Sequence, residues 1–566
     1  MCGAALALLL IAGAACDQRD ASRPANSTTG SGGGFSYASG QPALDHLQPR
    51  IRDSLAHNER TFEGLTGSVA GFGAGAHYPQ IWLRDSATLV QVTRYLYPVR
   101  YLTSWIEEHL AHQAGDGSLY DWIAAGPSAE FRSHAPNVRE IHRRGRTTLS
   151  ADRNTAATDQ ESSAVLAAAQ VFEITADRRW LSRRIAGRPL IDRLDAALEY
   201  VATARIDAAS GLVTAAFTAD WGDVGPVRAG QRAIYRDETT PVVGALYASA
   251  MFAGAAERLS GLHRVLGDGR RAGAWHLRSR AAIDAIDRAL WRDDAGFYRI
   301  HRVLRAPPAW SRPRAEDMFP LGGNAVAMLH GIADDVKVAR ILSAAADRRS
   351  AYGMPTISGV LLPPFPGGTF RHPMLREPYH YQNGGQWDWW GGRLLLAAFE
   401  RGHADMARAE LGRIADQIDR LDGLYEWSTR EGAGRGSPTY AGTGGVLGAA
   451  ILRGLYGIDL RGDGLDIQVR LGSESGRVHV REPATGASVA YEYVFDQAAS
   501  RASMTYESSA PGSGTLALRL PAGFEHAVAA IDGGERRELE IVRTGRDRYA
   551  RLATDWRPHR LEAEFR

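Results

Sequence analysis

Cysteine is almost missing from this chain of 566 residues: the two present, Cys2 and Cys16, both fall within the first sixteen positions. No internal disulfide can brace the body of the protein, and a cysteine nucleophile is excluded there as well. Lysine is nearly absent too, with Lys337 the single example, and the formal net charge is only +2. A balance so close to neutral gives no electrostatic reason to expect nucleic acid or an anionic membrane as partner. The 17 histidines are scattered, with no H-E-x-x-H and no Cys/His ligand spacing. No P-loop and no G-x-S-x-G elbow appears. No cofactor or metal is therefore expected, and the chemistry falls to carboxylates. A long hydrophobic run is lacking as well: the apolar start MCGAALALLLIAGAAC is too short to span a bilayer as a stable helix.

What is present begins with that start. Gly13-Ala14-Ala15 before Cys16 resembles the lipobox of bacterial lipoproteins, where the cysteine is acylated and becomes the new N-terminus. The resemblance implies a signal peptide over 1–16, lipidation at Cys16, and an exported protein at the periplasmic or outer membrane. Membrane contact is then expected only through that lipid anchor. Residues 17–42 are rich in Ser, Gly and Asn without apolar periodicity and read as a flexible tether. Over 43–458 the pattern is helical, as in SSAVLAAAQVFEITAD and HADMARAELGRIADQI, with apolar residues three and four apart and Gly-, Pro- and Trp-rich loops between. So many helical segments in succession suit a toroid of paired helices. After Gly457 the period changes to two, as in LDIQVRL, ASVAYEYVF and GTLALRLP, which predicts an antiparallel β-sandwich over 459–566. A chain of this length suits one large and one smaller domain, and a monomer is expected.

Three loops and one helix start offer chemistry. In FTADWGDVGP, Asp220 and Asp223 bracket Trp221; a carboxylic acid against an indole is partly desolvated, which suits it to protonate a leaving group. The alternative is a turn in which Asp220 caps backbone amides, and the choice between the two aspartates stays open. In GLYEWSTREG, Glu426 lies between Tyr425 and Trp427 and could activate water as a general base, or stand as a surface residue of an aromatic strand. In EPYHYQNGGQWDWWGGRL, Tyr381, Asn383, Gln386, Trp387 and Asp388 combine aromatic faces, which stack on sugar rings, with groups that bond hydroxyls. Packing of loop against helix is the alternative. In YPQIWLRDSATLV, Arg84 and Asp85 follow Trp82 and read either as a helix-opening ion pair or as a grip on a ligand.

Together, and in this order, the motifs resemble those of the six-hairpin glycosidases. The nearest likenesses are glucoamylases and the amylo-α-1,6-glucosidase part of glycogen-debranching enzymes. WLRDSATLV is similar to the glucoamylase segment that holds the terminal sugar, and also to that of α-1,6-mannosidases. DWGDV resembles the loop of the general acid, with Gly222 standing where relatives place a carboxylate, so Asp223 is the better match. YEW followed by GSPTYAGTGGVLGAAILRGLYGI resembles the segment of the general base and the last barrel helix, which maps the base onto Glu426. YQNGGQWDWWGG is similar to loops of debranching enzymes and invertases, and its QWD to trehalases. ATDQESSAVLAAAQVFEITAD looks like the second hairpin, with Asp159 at the rim as a sugar contact or a helix cap.

The resemblance implies an (α/α)6 toroid and an exo-acting, inverting glycoside hydrolase. Asp223 would be its acid and Glu426 its base, with Trp82, Arg84, Asp85, Asp159, Trp221 and the aromatic loop binding the sugar. An oligosaccharide or polysaccharide is the expected partner, with α-linked glucose first and α-mannoside, trehalose or α-rhamnoside as alternatives. Two other classes stand beside it: a lyase or epimerase on the same scaffold, and a non-catalytic glycan-binding lipoprotein.

Overall fold

The computed structural model describes residues 33–132, 137–144, 147–224, 234–308, 310 and 312–566. The leader with Cys16 and most of the expected tether lie outside the described residues. Twelve helices of nine or more residues organise residues 42–449: α1 (Pro42–His57), α2 (Leu83–Leu96), α3 (Arg100–Ala111), α4 (Gln160–Thr175), α5 (Leu190–Tyr200) and α6 (Leu246–Val265). They continue as α7 (Gly269–Leu290), α8 (Leu321–Leu329), α9 (Asp335–Ala351), α10 (Asp388–Glu400), α11 (Ala404–Leu421) and α12 (Ala441–Ala449). Even-numbered helices pack α2 on α4, α4 on α6, α6 on α8, α8 on α10 and α10 on α12, and α12 returns to α2. Their contacts close on themselves. The odd-numbered helices lie outside, among them α7 on α6, α9 on α8 and α11 on α10 and α1.

Residue choice separates the two layers. In α11 the buried positions include Ala407, Leu411, Ile414 and Ile418, one stripe with charged residues on the other face. In α8 the eight residues Leu321–Met328 are all buried, as fits a helix surrounded by others. Close approach there needs glycine: a Cβ on Gly448 of α12 would fall 2.7 Å from Val92 of α2, and one on Gly445 would fall 2.6 Å from Leu89.

Side-chain caps occur on two of the outer helices only. Outer helices α7 and α9 are capped by Asp268 and Asp334, whose carboxylates accept from Arg271 N and Lys337 N. None of the six inner helices has a side-chain cap of that kind. Their N-terminal ends meet short strands and loops at one rim. One of these is a four-stranded sheet of Ile81–Trp82, Trp122–Ala125, Thr147–Asp152 and Arg139–Arg144, which was not apparent as strands in the sequence.

Two sheets form the C-terminal part. A five-stranded sheet runs Ile458–Arg461, Gly464–Val469, Ser513–Arg519, Asp547–Asp555 and Glu540–Thr544, with Gly464–Val469 and Ser513–Arg519 parallel. A seven-stranded sheet runs Gly34–Ala38, Gly476–Arg481, Ser488–Asp496, Arg501–Ser508, His559–Phe565, Ala527–Ile531 and Arg537–Glu538. Tyr506 of the second meets Thr554 of the first at 2.7 Å, hydroxyl to hydroxyl. The expected tether over 17–42 needs correcting at its end. Gly34–Ala38 is an edge strand on Gly476–Arg481, because Phe35 and Tyr37 alternate inward and are buried.

Ion pairs join the helices to the sheets. Arg94 of α2, buried, donates to Glu482 at 2.5 Å and to the Leu460 carbonyl at 2.8 Å. The Asp547 carboxylate accepts from Ala404 N at the start of α11. Removing one partner of a buried pair strands the other charge. Glu482→Ala should therefore cost about 3–5 kcal/mol, read as a lowered urea midpoint; a shift no larger than that of an exposed Glu→Ala would contradict the buried-pair account.

Candidate active site

Arg84 and Asp85 open α2, and both are buried. Arg84 Nε and Nη2 donate to the two carboxylate oxygens of Asp159 at 2.5 and 3.1 Å, a bidentate pair between α2 and the start of α4. Asp159 precedes α4, yet its side chain caps no amide of that helix; it also accepts from Tyr247 Oη of α6 at 2.8 Å. Asp85 accepts from Tyr440 Oη, just before α12, at 2.6 Å. Burial pushes the Asp85 carboxyl up to about 6, against the opposing pull of the Tyr440 hydrogen bond and of Arg84.

Asp223 stands above this pair. Its carboxylate lies 3.6 Å from Arg84 Nη1 and accepts from Gln382 Nε2 at 2.8 Å, while its carbonyl accepts from Asn154. Its side chain is 24% exposed, the most open of the carboxylates on Arg84. Gly222 has no room for a side chain: a Cβ would sit 2.4 Å from Thr218 Oγ1 and 2.7 Å from Gln382 Oε1. Asp220, at φ 53°, points instead to α8, where both carboxylate oxygens accept from Gly323 N at 3.2 and 3.1 Å. Burial raises it to about 7.

Glu426 comes from the loop before α12. Tyr78 Oη donates to its two oxygens at 2.9 and 3.0 Å, and Ser437 N donates to Oε2 at 3.1 Å. Burial raises it to about 7; these bonds pull the other way, and the charges of Asp85 and Asp223 add to the rise. Those carboxyls therefore share one region, and Tyr381, buried nearby, feels Glu426, Tyr78 and Asp223 in the same way.

The aromatic loop divides. Trp221 packs on Trp387, Trp389 and Trp390 with centroids 4.9, 5.6 and 5.2 Å away, a buried floor. Trp82, half-buried, stands edge-on to Tyr78 at 6.3 Å and against Trp122 at 6.1 Å. Asn383 spends its amide on the backbone of Phe365 and Leu375, and Gln386 spends its own on Thr356 and Thr429. Asp388 accepts from Ser358 Oγ at 2.6 Å. These three hold the loop in shape beside the rim.

Sequence reading did not single out Tyr78, Tyr247, Gln382 or Tyr440, the donors to these carboxylates. Tyr78, Gln382 and Tyr440 lie inside stretches that carry the motifs, so proximity was their signal. Tyr247 had none. Among the described residues no group of three or more His, Cys, Asp or Glu could hold a metal ion.

Known structures of similar shape include α-L-rhamnosidases. The α-L-rhamnosidase of Streptomyces avermitilis complexed with L-rhamnose superposes with a TM-score of 0.57 at 14% identity, over 94% of this chain and 42% of that one. The α-L-rhamnosidase of Dictyoglumus thermophilum gives 0.60 at 12% identity, over 94% and 50%. The rhamnosidase of Bacillus sp. GL1 gives 0.59 at 16%, over 86% and 43%. This chain thus spans half or less of the length of these proteins, and the likeness is one of fold. No family model and no curated protein matches it.

The raised carboxyl of Glu426 carries a stability consequence. Its folded value, about 7, exceeds the ordinary glutamate value of 4.5, so the folded state holds a proton that the unfolded state has released between those pH values. Stability falls as pH rises through that window, and the full cost is present above it. Glu426→Gln removes the charge, so it should stabilise the protein at pH 8 by roughly 1–3 kcal/mol, a gain that fades towards pH 4.5. Thermal unfolding at the two pH values checks this; equal gains at both would sink it.

Proposed function

We infer that the protein is an exo-acting, inverting glycoside hydrolase, with the ring of inner helices as an (α/α)6 toroid and the C-terminal sheets as its supporting sandwich. The observation that carries this reading is the pairing of a buried, doubly held carboxylate, Glu426, with a more open one, Asp223, which lies against Arg84 and is near enough to Glu426 for its charge to raise it. The fold shared with rhamnosidases supports it, and so does the order of motifs along the chain.

In this mechanism Asp223, protonated, gives its proton to the glycosidic oxygen. Glu426, ionised, takes a proton from water, which attacks the anomeric carbon from the opposite face. Tyr78 and the Ser437 amide fix the orientation of Glu426. Arg84 and Asp85 hold hydroxyls of the terminal sugar and close the pocket behind it, so that cleavage is exo. Trp82 walls the sugar, and Tyr381 lies beside it. Asp220 is set aside as the acid, since both its oxygens are turned to Gly323 N.

The motif likeness places α-linked glucose first as the terminal sugar. An α-L-rhamnoside is the second reading, favoured by structural likeness to rhamnosidases across both the helical and the sheet parts. Screening α-glucosides, α-mannosides, trehalose and α-rhamnosides, with the anomer followed by NMR, separates these. Ultraviolet absorbance at the unsaturated-product wavelength exposes a lyase, and oligosaccharide binding without cleavage a glycan-binding protein. Asp223→Asn and Glu426→Gln should each lower kcat by at least about 100-fold with the fold intact; near-normal turnover removes that residue from its role. Because the base must be ionised, kcat/KM should fall as pH drops below about 7, the value to which burial raises Glu426.

Export and a lipid anchor at Cys16 complete the proposal, on the strength of the lipobox likeness. Labelled palmitate should enter the wild type and not Cys16→Ala; equal labelling of both would exclude the anchor.

A further inference from the structure

Besides Asp220 and Asp388, six carboxyls gather around the rim where the sugar would bind, and five have a donor. Asp85 has Tyr440, Asp152 has Tyr235, Asp159 has Arg84 and Tyr247, Asp223 has Gln382 and Arg84, and Glu426 has Tyr78 and Ser437 N. The sixth, Asp121, is 3% exposed. Its backbone is fixed: the carbonyl accepts from Leu83 N at 2.9 Å and its amide donates to the Asp152 carbonyl at 2.9 Å. These bonds set it next to Trp122, which pairs with Trp82, and one residue from Arg84 across the sheet. Yet among the described residues no side chain or amide donates to its carboxyl, and no cation forms an ion pair with it.

Its surroundings favour the neutral acid. Burial, together with the charges of Asp159, Asp223 and Asp152, raises it well above the usual carboxylate range, and Arg84 offsets this only in part. A neutral carboxylic acid has one O–H to donate, and the Asp121 oxygens are not among the fully enclosed atoms without a partner, so the group keeps slight access from outside. A site that keeps an unspent donor within the field of Arg84 and Asp223 keeps it for something that arrives. Packing alone does not call for it, since Asn would fill the same volume.

We propose that Asp121 is a specificity-determining residue of the terminal-sugar pocket, whose carboxylic acid donates a hydrogen bond to one hydroxyl of the bound sugar. The proposal rests on the glycosidase reading above. It assigns Asp121 no part in proton transfer, and it makes the pocket select a sugar bearing a hydroxyl at one defined ring position.

The test uses the full protein, the glycoside it cleaves best, and the monodeoxy forms of that glycoside. Asp121→Asn, whose amide also donates, should keep kcat/KM within about threefold. Asp121→Ala should lose about 10–100-fold, mostly in KM, the range expected for one buried hydrogen bond. Against the one monodeoxy glycoside lacking the contacted hydroxyl, wild type and Asp121→Ala should become equal. An Asn variant as weak as Ala, or an Ala deficit identical across all monodeoxy forms, overturns the proposal while leaving the hydrolase standing. Absence of cleavage of any glycoside by the wild type overturns both. Should Asp121→Ala unfold, Asp121→Asn decides alone: retained kcat/KM supports a donor, and a hundredfold loss rejects it.

Discussion

The buried bidentate pair between Arg84 and Asp159 is the contact on which the rim depends. It joins the first turns of two neighbouring inner helices, takes in a third through Tyr247, and presents the remaining guanidinium nitrogen to Asp223. Desolvating both charges is costly, so such a pair is poor evidence of stability taken alone. Its value lies in geometry. With Asp159 held on two of its nitrogens, Arg84 turns the third towards Asp223, and its planar fork fixes where these two carboxyls stand.

The ring of inner helices explains why so much acid can collect in one place. None of the six is capped by the side chain of the residue just before it, and the partial positive charge of those ends favours carboxylates beside them. Asp220 on Gly323 N shows the effect directly. Beneath the rim, Trp221, Trp387, Trp389 and Trp390 exclude water, which strengthens every polar contact above them and raises Glu426 and Asp85. Rigidity below and polarity above are two results of one arrangement.

The sheets contribute at a distance. Arg94 reaches from α2, the helix that begins with Arg84, to Glu482, and Asp547 caps α11. The strand Gly34–Ala38 belongs to the sheets although it precedes the first helix, and it shares its sheet with the strand His559–Phe565. Helices and sheets are thereby tied at both ends of the helical segment.

Much of this was legible in the sequence. Apolar spacing alone separated a helical region up to about Gly457 from strands after it, because burial on one face or one stripe imposes its period on the residues. The stretches around Arg84, Asp223, the aromatic loop and Glu426 were visible as dense, unusual local patterns. Local pattern could not say where the members of a dense motif turn: Asn383, Gln386 and Asp388 bond to the neighbouring segments at 356–375 and 429, and Asp220 to a helix end far along the chain. Nor could it find Tyr247 or Asp121, whose neighbours in sequence are ordinary. Periodicity is a property of consecutive residues, so the sequence determined the layers. Partnership between a phenol, a guanidinium and a carboxyl that lie scores of residues apart exists only once the helices close their ring, and that is what the tertiary structure decided.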